Sequence, residues 1–308
     1  MNYVTGTTTF HIEEPSAVSL GKFDGLHRGH QKLVQYVLEQ KKKGMSAVIF
    51  TFEKNPTRIL SGLSAQNIIT NQERKELLES EGIDCLLECP FVPEIAHMEP
   101  EVFVEQVLVG QLHAKFVAVG KDFRFGYQRR GDHVLLKKMG KELGFRVKVI
   151  QKEQSHGRDI SSTYVREALH EGNIPLANEL LGYRYFVSGE VLHGRKIGRT
   201  LGLPTTNLLP TADKLLPPNG VYLTRTFVGE DTYYGITNIG YKPTVGGETR
   251  KGVETYLFDF DGDLYGRHLK VEFLEYERPE QKYKSLEELK ARILSDVAWG
   301  KSKMRDIR

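Results

Sequence analysis

The feature that most constrains this chain is a change of rhythm partway along it. Through the first 182 residues, short apolar runs alternate with stretches of helical period: A-V-S-L-G (17–21), S-A-V-I-F-T-F (46–52), D-C-L-L-E-C (84–89), F-V-A-V-G (116–120) and F-R-V-K-V-I (145–150). Strands separated by helices pair through crossovers, which lay the helices on the sheet and make the strands parallel. A doubly wound α/β domain over 1–182 is expected. Asn71 before Q-E-R-K-E-L-L, and Ser161 or Ser162 before T-Y-V-R-E-A-L, suit helix starts.

After Leu181-Gly182 the texture turns to strand-like stretches broken by Gly, Pro, Asn and Asp: 183–191, 220–228, 232–240, 253–260 and 269–276. D-F-D-G-D-L-Y reads as a hairpin turn around Asp261-Gly262. Helical period returns only from Ser285 to about Trp299, with Ser285, Glu287 and Glu288 suiting a capped start. A small antiparallel β-barrel with a C-terminal helix is expected over 183–308, the seam falling near 182–186.

Charge excludes some partners. Lys and Arg number 43 against 40 Asp and Glu, a formal net charge of +3, too slight to draw nucleic acid or a membrane surface. The opening M-N-Y-V-T-G-T-T-T-F lacks the basic and apolar regions of a targeting signal, and no apolar run approaches the roughly 18 residues of a membrane span, so a cytoplasmic protein is expected. Cys85 and Cys89 would point to one face of a strand about 13 Å apart, beyond disulfide reach, and read as buried inert thiols.

The first chemical constellation, G-K-F-D-G-L-H-R-G-H (21–30), directly follows the first apolar run and opens a helix-forming stretch. Gly21, Gly25 and Gly29 let backbone approach a phosphate closely, and the helix start adds unpaired N–H groups. His27 and His30 can both face that bend and hydrogen-bond phosphate oxygens as negative charge accumulates. H-x-x-H alone would more often be a pair of satisfied structural histidines; its place between strand and helix reverses that. V-G-K-D-F-R-F-G (119–126) falls at the carboxyl end of a strand, where open α/β sheets bind ligands. Phe123 and Phe125 offer ring faces to a planar heterocycle, the other reading being hydrophobic plugs; Asp122 could hold Mg²⁺ or a polar ligand group, or cap a turn. In D-I-S-S-T-Y-V-R (159–166), Ser161, Ser162 and Thr163 could take phosphate oxygens and Arg166 a leaving pyrophosphate, against a plain capped helix with a surface arginine.

The second constellation is G-R-K-I-G-R-T-L-G-L-P-T-T-N (194–207). Gly194 and Gly198 with Lys196 and Arg199 could fold over an anionic group, although composition alone also fits a solvated loop. Thr205 and Asn207 alternate on one strand face and present oxygens suited to Mg²⁺. Glu254, on an otherwise apolar strand, is placed to act as a base if it points inward and is a solvated residue if outward.

The loop holding His27 and His30 resembles that of the nucleotidylyltransferase superfamily. Together with V-G-K-D-F-R-F-G, I-S-S-T-Y-V-R, P-P-N-G-V-Y (217–222), N-I-G-Y-K-P-T (238–244), D-G-D-L-Y-G (261–266) and R-P-E-Q-K-Y (278–283), it makes nearly the whole chain similar to the bacterial bifunctional riboflavin kinase/FMN adenylyltransferase (FAD synthetase) family. The resemblance implies a nucleotidylyltransferase-type parallel sheet and a riboflavin kinase barrel. It implies ATP, riboflavin and FMN as substrates, Mg²⁺ as cofactor and small molecules as partners, and it leaves room for a weak homo-oligomer. His27, His30, Arg166 and Glu254 would be catalytic. Gly21, Phe23, Asp24, Gly25, Gly29, Ser161, Ser162, Thr163, Gly194, Lys196, Gly198 and Arg199 would bind ATP phosphates. Asp122, Phe123, Phe125 and Arg278 would bind flavin, and Thr205 and Asn207 the metal. Lys54-Asn55, Leu203, Thr206 and Tyr283 depart from the pattern. A chain with one working activity, a non-catalytic flavin-binding regulator and a tRNA-directed nucleotidyltransferase are the rival readings; the last lacks a K-M-S-K-S-like loop.

Overall fold

A computed structural model describes residues 1–54, 66–193, 202–243 and 249–307. Its contacts divide the chain into two compact units, Met1–Ser162 and Thr163–Arg308. The change of texture read from the sequence comes later, near 182.

The first unit is built on six parallel strands: β1 (Asn2–Thr5), β2 (Ser16–Leu20), β3 (Ser46–Phe52), β4 (Cys85–Cys89), β5 (Ala114–Gly120) and β6 (Arg146–Ile150), in the order β1-β4-β3-β2-β5-β6. Every residue of β2 and β4 is buried, as expected of central strands in a sheet covered on both faces. Cys85 and Cys89 are free and buried in β4, where burial first pushes their thiols up to about 11 and about 12. Ser16 and Ser19 are tolerated in β2 because their hydroxyls donate to Leu112 O and Ala118 O, at 2.5 and 2.9 Å. Helix α1 (Arg28–Lys41) buries Leu33, Val34 and Val37.

Two details differ from the sequence reading. β1 joins the edge beside β4, where the Tyr3 hydroxyl donates to the buried Glu88 carboxylate at 2.9 Å. Glu88 also takes Arg74 Nε at 2.9 Å; neither partner is visible in so short a polar segment. Helix α2 (Asn71–Ser80) is capped by Thr70 rather than Asn71. The Thr70 hydroxyl accepts from Glu73 N at 3.1 Å and Glu73 Oε2 accepts from Thr70 N at 2.9 Å, a reciprocal capping box. Helix α3 (His133–Leu143) follows Asp132 as cap and ends at left-handed Gly144.

β2 and β5 are neighbours although the chain winds away from β2 through β3 and β4 before returning. That reversal opens a crevice beyond their carboxyl ends, where ligands of such sheets bind. The loops after Leu20 and Gly120 leave from there.

The second unit opens with α4 (Ser162–His170, whose first residue belongs to the first unit) and α5 (Ile174–Leu181). Six antiparallel strands follow: β7 (Phe186–Glu190), β8 (Thr205–Leu208), β9 (Gly220–Val228), β10 (Asp231–Pro243), β11 (Thr249–Leu257) and β12 (His268–Pro279), ordered β7-β12-β9-β10-β11-β8. Leu192 N, just beyond β7, donates to Asn207 O on the opposite edge at 2.8 Å, so the sheet curls toward closure. Helix α6 (Leu286–Ile307) lies on one face. Val297 and Trp299 pack there on Val221, Leu223, Ile236, Phe258 and Leu274.

The expected hairpin at Asp261-Gly262 is not one. β11 pairs with β10 and β8, while β12 pairs with β9 and β7, so the segment is a crossing connection. Phe258 and Leu264 within it are buried, which draws the connection onto the unit's body instead of into a tight turn. Helix α6 also runs past Trp299 to Ile307, through Gly300, where a Cβ would lie 2.7 Å from the Ile236 side chain.

Candidate active sites in the two units

In the first unit, the loop between β2 and α1 is bent by three departures from ordinary backbone: Phe23 (φ 46), Gly25 (φ 80) and Leu26 (φ 38). Two of these are non-glycine residues in the left-handed region, a cost met by burying both side chains completely. A Cβ on Gly25 would lie 3.0 Å from Ile68. Asp24 locks the bend: its Oδ1 accepts from Ile68 N and its carbonyl accepts from the Ser162 hydroxyl, both at 2.8 Å. The loop is thereby tied to Ser162 within the first unit. Gly21 and Gly29 lie against the Phe23 and His27 rings, where a Cβ would sit at 3.2 Å in each case.

His27 caps α1 and His30 lies in its first turn. Their rings stack with centroids 3.8 Å apart. Burial lowers the His27 pKa to about 4, and burial followed by the charge of His27 holds His30 well below the usual histidine range. Both imidazoles are therefore neutral at pH 7. Each Nδ1 is buried with no hydrogen-bond partner among the described residues. Two buried ring nitrogens without partners are costly, and a phosphate arriving at the loop would offer them oxygens.

The other residues read from the sequence divide. Asp122 lies at the crevice after β5, ion-paired to Lys152 at 3.1 Å. Phe123 and Phe125 stack at 5.7 Å, but Phe125 is buried in the core beside Phe103, leaving Phe123 the more open ring. Thr163 and Arg166 follow Ser162 along α4. Lys152 and Glu153, the latter ion-paired with Lys32 at 3.0 Å and with Arg28, were missed. Their only signal is position, just beyond β6. Gly194, Lys196, Gly198 and Arg199, like Asn55, lie outside the described residues.

In the second unit, two rows of side chains cross the same three strands on opposite faces. In register, Thr237, Thr255 and Thr206 form one row, and Asn238, Glu254 and Asn207 the adjacent one. The threonine row is buried and hydrogen-bonded: Thr224 to Thr237 at 2.7 Å, Thr237 to Thr255 at 2.8 Å, and the Thr206 hydroxyl to Thr255 O at 3.4 Å. Because side chains alternate between faces, the ladder fixes the register that aligns the polar row. Glu254 is thus half-buried on the face that carries α6, and the Thr205 hydroxyl donates to its Oε1 at 2.7 Å.

Thr205 and Asn207, on β8, lie beside Glu254 of β11. Among the described residues no group of three or more His, Cys, Asp or Glu could hold a metal ion. The donor set here is instead a hydroxyl and an amide beside one carboxylate, which fits a hard cation that keeps waters and substrate phosphates as its other ligands. Arg278 grips Asp296 of α6, Nε to Oδ1 at 3.0 Å and Nη2 to Oδ2 at 2.5 Å, so its guanidinium anchors the helix. Tyr283 carries a buried hydroxyl with no partner among the described residues.

Neutral imidazoles at a sheet crevice in one unit and a carboxylate beside oxygen donors in the other have the chemistry suited to phosphate groups, as in enzymes that transfer phosphorus-containing groups. The FAD synthetase family model matches residues 9–164 and the riboflavin kinase family model residues 181–304. The bifunctional riboflavin kinase/FMN adenylyltransferase of Escherichia coli strain K12 is 40% identical over 287 residues, covering 92% of this chain and 91% of that protein. Its counterpart from Listeria monocytogenes serovar 1/2a is 33% identical over 293 residues, covering 94% and 93%. A solved structure described as a macrolide-efflux protein from Streptococcus pneumoniae superposes with TM-score 0.85 at 27% identity, over 97% of this chain and 98% of that one. Among the described residues no helix is long and apolar enough to cross a membrane. The chain belongs to the bifunctional riboflavin kinase/FMN adenylyltransferase family.

Proposed function

We infer that this chain phosphorylates riboflavin to FMN with ATP in its second unit and adenylylates FMN to FAD, releasing pyrophosphate, in its first. The observation that carries the reading is the pair of separate polar centres, each matched to one step: Glu254 held by Thr205 in one unit, and two neutral imidazoles with unpartnered Nδ1 atoms in the other.

In the kinase step Glu254 accepts the proton of the terminal ribityl hydroxyl as that oxygen attacks the γ-phosphorus. Thr205 positions the carboxylate from one side. Thr205 and Asn207 are the residues to hold magnesium, which when bound neutralises charge on the phosphates. Gly194, Lys196, Gly198 and Arg199 belong to the loop assigned to ATP by sequence.

In the adenylyl transfer the nucleophile is already an anion, the FMN phosphate, so no base and no covalent intermediate are needed. The work is positioning and charge stabilisation. His27 and His30 donate to oxygens of the α-phosphate as charge builds there. Ser161 and Ser162, the latter fixed to Asp24, hold phosphate oxygens; the sequence pattern assigns Thr163 to the same oxygens and Arg166 to the leaving pyrophosphate. Phe123 and Asp122 face the flavin. The enzyme acts on small molecules in the cytoplasm.

The test is to incubate the purified protein with riboflavin, ATP and MgCl₂ and to separate FMN from FAD, then repeat with FMN supplied. FAD from both starting points supports the reading. FMN alone leaves only a kinase, FAD only from FMN leaves only an adenylyltransferase, and no product points to a flavin-binding regulator.

A further inference from the structure

The kinase reading leaves unused a polar cluster that continues the Glu254 row. Glu254 is on β11, between β8, which supplies Thr205 and Asn207, and β10, which places Asn238 directly opposite it. Two residues along β10 is Gly240, against whose bare Cα two groups close in. A Cβ there would lie 2.6 Å from Glu280 Oε1 and 3.3 Å from Asn238 Nδ2. The second oxygen of Glu280 accepts from Asn219 Nδ2 at 3.1 Å, and Asn219 Oδ1 is buried with no partner among the described residues. Glu280 itself is exposed, the first residue beyond β12.

Three strands meet at this spot. The P-P-N-G segment ends at Gly220, which pairs with Ile239 on one side and Pro279 on the other. Gly220 has φ 156, and a Cβ there would meet Arg278 O at 2.3 Å, so the close approach of the three strands requires glycine.

We propose that Asn238 and Glu280 form a binding site for the hydroxyls of a polyol chain, the ribityl tail of the flavin. The proposal rests on the kinase reading. A carboxylate accepts and a carboxamide both donates and accepts, so together they satisfy hydroxyls that do both. From Glu254 to Gly240 the run covers one strand spacing across and two residues along, roughly 5 by 7 Å, the reach of a short polyol rather than of a fused ring system. The direction follows from the strand order. The oxygen ligands for cation and phosphate lie on the β8 side of Glu254, so a hydroxyl that is to attack phosphorus comes from the β10 side, where Asn238 and Glu280 are. Gly240 keeps the floor of that path open.

The experiment is steady-state kinetics of the full-length protein with riboflavin and ATP varied separately. Glu280→Gln and Asn238→Ala are each expected to raise KM for riboflavin about ten- to hundredfold, the loss of a hydrogen bond to a charged or buried group. The kcat, the KM for ATP and FAD formation from supplied FMN stay within about threefold. On the wild type, the 2′-, 3′- and 4′-deoxyriboflavins identify the hydroxyl concerned, and its absence causes no further loss in the matching variant. Trp299 fluorescence during urea unfolding checks the fold of the second unit; Glu280, being exposed, carries the test if Asn238→Ala unfolds. A rise in KM for ATP instead, a fall in kcat at constant KM, or no change in Glu280→Gln overturns the polyol site. A wild type that makes no FMN overturns the kinase reading itself.

Discussion

Lowering the pH from about 7 to about 4.5 is expected to destabilise the first unit through its two buried histidines. His27 titrates near 6.5 in an unfolded chain and near 4 when folded, because burial disfavours the imidazolium. Between those values the unfolded state binds the extra proton, so unfolding free energy rises with pH across the window and is lost as pH falls through it. At 1.36 kcal/mol per unit, His27 alone accounts for about 3 kcal/mol once the pH is below about 4. His30, shifted in the same direction, adds to it. The chain has a single tryptophan, Trp299, in the second unit, which separates the signals. Urea unfolding followed by far-UV circular dichroism sees both units, whereas Trp299 fluorescence sees only the second. The transition that Trp299 does not report is expected to move to lower urea on acidification, and His27→Asn to flatten that dependence. A first-unit midpoint independent of pH over this range would refute the claim that both imidazoles are buried and neutral. Saturating ATP supplies an anion to the same nitrogens and is expected to cause proton uptake, read by calorimetry in buffers of different ionisation enthalpy.

The remaining expectations follow from single contacts. Glu254→Gln abolishes FMN formation and leaves FAD formation from FMN intact, and His30→Ala does the reverse; parallel losses in both assays would contradict separate sites. Thr237→Val cuts the centre of the buried hydroxyl ladder and removes a partner from both Thr224 and Thr255, costing about 1–3 kcal/mol in urea unfolding monitored at Trp299. Arg278→Ala removes the bidentate partner of the buried Asp296, which keeps Arg292 at 2.9 Å, costing about 1–3 kcal/mol and loosening α6. Glu277 is pushed up to about 7, first by burial and then by Asp296, so the folded second unit binds the extra proton between about 4.5 and 7. Its stability therefore falls as pH rises through that window, opposite in sign to the first unit.

Much of this protein was legible in its residues because the signals are local. The strands of the parallel sheet announce themselves as short apolar runs, since buried strands need no polar face, and the loop carrying His27 and His30 is contiguous from Gly21 onward. Buried, inert Cys85 and Cys89 follow from their spacing on one strand. What chain order could not decide was who stands next to whom. Asp261-Gly262 has hairpin chemistry, yet strand order makes it a crossing connection, because a turn type is set by its two residues and pairing by which faces are buried. Arg278 is read as a flavin ligand from its motif, and no motif shows that Asp296, in the middle of α6, takes its guanidinium. The protonation of His27 and His30 depends on burial, which no motif states. Above all, Asn238 and Glu280 join Glu254 only through the register of β10 with β11 and the approach of Glu280 to Gly240. Composition and spacing determine what each segment can become; the non-local hydrogen bonds and burial of the folded chain determine which distant side chains share a solvent-excluded site, and with it their chemistry.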